Sequence, residues 1–136
     1  MPDSHSMLIE ERVAFTVPGT GSIYKPETPH VFVCVTPPCE KNDVLAVPMG
    51  SFKGRGDESC VLMPGDHPRV VHKTIILYGY TRKFYVSAIE KLITSGDYAI
   101  ENDVSMEVYE RIVGGLFSSS FTPPWAYEYA KKQLGL

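Results

Sequence analysis

The apolar positions of this 136-residue chain change their period about two-thirds of the way along. Up to about residue 85 they alternate with polar residues or fall in short β-branched and aromatic blocks, which is the signature of strands. Residues 11–17 alternate ahead of Pro18-Gly19. Residues 31–35 (VFVCV) form an unbroken run between Pro29 and Pro37-Pro38 and predict a strand buried on both faces. Residues 44–52 predict a third strand, with Pro48 and Gly50 pointing to an edge or a bulge. Residues 60–63 predict a short strand, and 74–80 (TIILYGY) the strongest of the set.

Beyond that point the spacing becomes helical. Ile89, Leu92 and Ile93 predict a helix over 87–94 that Gly96 stops. Ser105 is a natural N-cap for a helix whose apolar stripe is Val108, Ile112, Val113 and Leu116. Thr122 followed by Pro123 predicts the start of a last helix over 123–134. Its final turn carries Lys131 and Lys132, which complement the negative end of the helix, and Gly135 ends it. Residues 96–103 read as a loop. The class is therefore α+β, in a single domain: a flexible start over 1–8, a mainly β part over 9–85 in the form of a small barrel or sandwich, and a helical part over 86–136.

Candidate chemistry concentrates in residues 57–73 (DESCVLMPGDHPRVVHK). Pro64-Gly65-Asp66 forces a tight reversal, because proline presets φ and glycine accepts positive φ. Asp66 and His67 fall at or near the tip of that loop. His67 and His72 can serve as acid or base near neutral pH. The same residues admit a structural reading: Asp66 caps its own turn, His67 hydrogen-bonds the turn, and His72 is a half-exposed strand residue. Lys53 and Arg55 flank glycines at 50, 54 and 56, a segment able to hold a phosphodiester without a Walker or dinucleotide spacing. Tyr78, Tyr80, Phe84 and Tyr85 interleave with Arg82 and Lys83; they suit either base stacking or a strand-end core.

Charge sharpens this picture. The net charge of −3 gives no overall attraction to nucleic acid, yet residues 53–83 hold six Lys and Arg against Asp57, Glu58 and Asp66. A local basic face on an acidic protein can bind an anion, although such asymmetry also arises often by chance. Cys34, Cys39 and Cys60 are an odd number at spacings unlike a zinc site, and Cys34 reads as a core thiol. No HxH, HExxH or CxxC pattern occurs, and no metal or cofactor is expected. The polar start lacks a secretory signal and no apolar run reaches membrane-spanning length, so a cytoplasmic location without membrane contact is expected.

Residues 30–80 resemble the PemK/MazF-like toxin superfamily in a divergent form. The resemblance lies in the Pro-bounded strand 29–35, in Val44-Leu45-Ala46-Val47-Pro48 followed by Gly50-Ser51, and in the Gly65-Asp66-His67-Pro68 block running on to His72, Ile75 and Tyr78. It implies a small SH3-like β-barrel with a helical C-terminal part. It also implies a metal-independent endoribonuclease acting on single-stranded RNA, an antitoxin or other protein partner, and a homodimer. Ser51 falls at the family's hydroxyl position. Pro29-His30 stands where the family has Arg-Pro, and no counterpart of its early Gly-Glu or catalytic Arg is visible. In this reading Ser51, His67, Arg69 and His72 are catalytic, and Lys53, Arg55, Lys73 and Arg82 bind substrate. The alternative is a non-catalytic barrel module that binds a protein or nucleic acid.

Overall fold

A computed structural model of the chain describes residues 8–20 and 28–136. The start expected to be flexible lies, up to residue 7, outside them. The strands are β1 (Ala14–Val17), β2 (His30–Cys34), β3 (Asp43–Ser51), β4 (Val61–Leu62), β5 (Thr74–Ile76), β6 (Arg82–Tyr85) and β7 (Ala99–Glu101). The helices are α1 (Val86–Thr94), α2 (Met106–Ser118) and α3 (Pro124–Gln133). All strand pairs are antiparallel, in the order β4-β5-β3-β2-β1-β7 with β6 also beside β3. Since β4 and β7 end that path, the sheet is open, and the class is α+β.

The nine residues of β3 hold the sheet together. One edge pairs with β2; the other pairs first with β6 over residues 43–46 and then with β5 over 49–51. Pro48 therefore belongs to a central strand, not to the edge its sequence suggests. It is tolerated because it falls where β3 passes from one neighbour to the next. The missing N–H is not needed there, while the Pro48 carbonyl accepts from Leu77 N at 2.9 Å.

Both faces of the sheet are covered, so β2 is buried throughout its apolar run, as expected of an unbroken β-branched block. On one face Phe15, Phe32, Val44, Ala46 and Phe84 meet Val86 and Ile89 of α1. Phe84 stands edge-on to both Phe15 and Phe32, with centroids 5.2 Å apart in each case. On the other face Val33, Leu45, Val47, Leu62, Ile76 and Tyr78 meet Val108, Ile112 and Leu116 of α2 and Ala126 and Ala130 of α3. Cys34 is buried, and burial pushes its thiol up to about 12, as befits a core residue.

The strand expected over 74–80 ends at Ile76. Tyr78–Tyr80 forms a 3₁₀ turn, and a further strand, β6, follows. The aromatic residues that promise a strand are used differently: Tyr78 is buried and donates to Ile112 O at 2.7 Å. The loop expected over 96–103 contains β7, which three residues of pairing to β1 suffice to form. Ser105 caps α2, accepting from Val108 N at 3.1 Å. In α3 the N-cap is Pro123 rather than Thr122, whose hydroxyl donates to Leu116 O.

Gly115 makes the docking of α2 onto Tyr78 tight. A Cβ at that position would lie 2.1 Å from the Tyr78 hydroxyl and 2.8 Å from its Cζ. Gly115→Ala is expected to lower stability by about 1–3 kcal/mol through overpacking. A urea midpoint indistinguishable from that of the parent chain would contradict this packing.

Candidate functional site

The end of β3 places Ser51 opposite Thr74 of β5. The approach to β5 is fixed by Phe52 N, which donates to Lys73 O at 3.0 Å, and by Thr74 Oγ1, which donates to His72 O at 2.9 Å. His72 is thereby brought against Ser51, with Nε2 2.7 Å from Oγ. These two side chains border a hollow of about 260 Å³ that is also lined by His30, Lys53 and Arg69. Four of the eight residues singled out from the sequence thus converge. Three of them, Ser51, His72 and Lys53, lie on β3, just after it, or just ahead of β5.

Arg69 reaches the hollow from the loop after β4. Its guanidinium pairs with Glu101 of β7 at 2.7 Å, and Glu101 in turn accepts from Thr16 of β1 at 2.6 Å. The half-exposed Arg69 side chain is thus held in place, and the Glu101 carboxylate offsets part of its charge.

His67 has a different position. It is 4% exposed, and both ring nitrogens are engaged. Nδ1 accepts from Arg69 N at 3.0 Å, and Nε2 donates to Asn102 O at 2.6 Å. A carbonyl can only accept, so the ring carries its proton on Nε2. No nitrogen is left for a substrate. The catalytic role expected of His67 is not carried forward; its position is that of a pin between the loop and the strand β7 region, and it fixes the backbone of Arg69.

Asp66 caps its own turn, as the structural reading of the bend requires: Oδ2 accepts from Met63 N at 2.8 Å and Oδ1 pairs with Arg111 of α2 at 2.8 Å. The Met63 amide first, and then Arg111, hold its carboxyl below the usual range against the opposing effect of burial. Asp57 likewise accepts from Ser59 N at 3.0 Å. Among the described residues no three His, Cys, Asp or Glu side chains are grouped as metal ligands.

The remaining expected substrate contacts scatter. Lys73 turns away from the hollow, pairing with Glu58 at 2.8 Å and lying 4.0 Å from the centre of the Phe52 ring. Arg55 is exposed in the loop between β3 and β4, flanked by Gly54 and Gly56 at φ 86° and 137°. Arg82 borders a second cavity, on the other face of the sheet. Of the four aromatics, Tyr78 and Phe84 are core residues, whereas Tyr80 and Tyr85 are exposed.

His30 touches the edge of the hollow, but its side chain belongs to the other face of the sheet. It opens β2 on the face of Phe32 and Cys34, whereas Ser51 shares the face of Leu45, Val47 and Met49. The Nδ1 of His30 lies 2.8 Å from Thr20 Oγ1. Partial burial lowers its pKa.

His67→Ala leaves Asn102 O and Arg69 N without partners and is expected to cost about 1–3 kcal/mol. His72→Ala, at an exposed position, is expected to stay within about 0.5 kcal/mol of the parent. Urea unfolding of the two variants checks this; equal midpoints would remove the distinction between pin and site residue. No helix among the described residues is long and apolar enough to cross a membrane. No family model, no curated protein and no solved structure matches the chain.

Proposed function

We propose that the chain is a metal-independent endoribonuclease of the toxin type, and that the hollow at the end of β3 cleaves single-stranded RNA. The observation that carries this reading is the convergence of Ser51, His72, Arg69 and Lys53 on one hollow. Two cations suit a phosphodiester, and a guanidinium offers it paired donors. The His72 imidazole suits the proton transfer that starts the reaction.

The 2′-oxygen attacks phosphorus and the bond to the 5′-oxygen breaks, giving a 2′,3′-cyclic phosphate and a free 5′-hydroxyl. His72, oriented by Ser51, accepts the 2′-hydroxyl proton. Water returns a proton to the leaving 5′-oxygen. Arg69 and Lys53 stabilise the charge that builds on the non-bridging oxygens. The long β3 shared by two sets of partners, and the 3₁₀ turn between β5 and β6, favour an SH3-like barrel as the framework. An antitoxin or a second copy of the chain would be its partner.

One observation favours the alternative of a binding module without catalysis: Arg69 and Lys73 already have carboxylate partners in Glu101 and Glu58. The two readings separate in one assay, in which purified protein is incubated with single-stranded RNA in EDTA. Catalysis predicts fragments with cyclic phosphate ends. His72→Ala is expected to slow cleavage about 10²–10⁴-fold. Intact RNA at high protein concentration, or cleavage indifferent to this substitution, would overturn the proposal.

A further inference from the structure

We infer that the cavity of about 480 Å³ on the Phe32 face of the sheet is a binding site for a small aromatic carboxylate. The register Phe32↔Pro48 turns residues 30, 32, 48 and 50 to one face of the sheet and residues 31, 49 and 51 to the other. The cavity and the hollow therefore open on opposite sides, and the ligand of the cavity is distinct from any RNA held at the hollow.

The cavity forms where β3 changes neighbours. The chain passes from β5 to β6 through Leu77 and the 3₁₀ turn, alongside that point. Leu77 N donates to Pro48 O at 2.9 Å, and its side chain lies over Gly50. A Cβ at position 50 would come within 2.6 Å of Leu77 Cδ1, so the missing side chain makes room for Leu77. Leu77, Pro48 and Phe32 then form a continuous apolar wall. The same turn sets Tyr80 at the rim, 71% exposed, and β6 begins with Arg82 beside it.

Mostly apolar walls with one charged group are the usual make-up of a small-molecule site, and the volume lies within the ~300–1,000 Å³ such sites have. The charged group is Arg82. Its guanidinium carbon lies 5.5 and 4.6 Å from the centres of the Phe32 and Phe84 rings. Ring contact engages the face of a guanidinium and leaves its N–H donors for an acceptor. Arg69, Lys73 and Arg111 each have a carboxylate partner, whereas among the described residues none pairs with Arg82. A carboxylate matches the paired donors of a guanidinium. Burial draws the nearby His30 imidazole toward its neutral form, so among the described lining residues a single positive charge faces the ligand. One charge suits a monoanion. The apolar wall and the tyrosine at the rim suit a flat ring, where a sugar would leave its hydroxyls against Phe32, Pro48 and Leu77 without partners.

The test titrates the intact protein with three probes: 2-naphthoate, its neutral isostere 2-naphthamide, and acetate, which has the charge without the ring. Affinities come from calorimetry and locations from amide shifts in NMR. 2-Naphthoate is expected to bind about tenfold or more tightly than either of the others, with shifts at His30, Phe32, Leu77 and Arg82. Arg82→Gln is expected to bring 2-naphthoate down to the affinity of 2-naphthamide. Tyr80→Ala, at an exposed position where folding is little disturbed, is expected to weaken both naphthyl compounds about 2–10-fold. 2-Naphthoate that binds no better than 2-naphthamide, or an affinity that survives both substitutions, would overturn the inference. So would shifts centred on Ser51, Lys53 and Arg69, which would place the anion in the hollow on the other face.

Discussion

The antiparallel pairing of β3 along both its edges is the constraint from which the rest of the molecule follows. Pairing to β5 brings His72 to the end of the strand that carries Ser51. A one-residue slip of that pair would turn these side chains to opposite faces of the sheet and disperse the hollow. The buried residues that fix the register, Leu45, Val47 and Met49 on one face and Val44 and Ala46 on the other, therefore also fix the geometry of the site.

A second set of contacts places the one cation that comes from outside this strand pairing. Arg69 sits in a loop, where side chains are ordinarily free to move. Here the loop is tied at three points: Asp66 to Met63 N and Arg111, His67 to Asn102 O, and Arg69 itself to Glu101. The Gly65-Asp66-His67-Pro68 bend thus acts through Arg69. It resembles an active-site motif because it must make several hydrogen bonds in a short length, and those bonds require the same residue types that catalysis does.

This explains how far the sequence could be read. The core strands, the Ser105 cap, the Gly96 and Gly135 stops and the Asp66 turn were legible because each depends on neighbours within a few residues. The role of His67 was not, since its partner Asn102 is 35 positions away and offers only a backbone carbonyl. Pro48 argued for an edge because its missing donor is a local fact, while the change of neighbour that makes it harmless is a tertiary one. The Ser51–His72 contact was legible as two candidates but not as a pair. The cavity bordered by Tyr80 and Arg82 arises where a 3₁₀ turn replaces the end of an expected strand.

In the proposed function the end of β3 receives a phosphodiester. The most direct measurement is an NMR titration of the intact protein with a short single-stranded RNA made uncleavable by 2′-O-methylation, at low and at moderate salt. The predicted result is a set of shift changes centred on Ser51, Lys53, Arg69 and His72 that weakens as salt rises. Shift changes centred elsewhere, for instance on the exposed Trp125 and Tyr127 of α3, or the absence of any change, would contradict it.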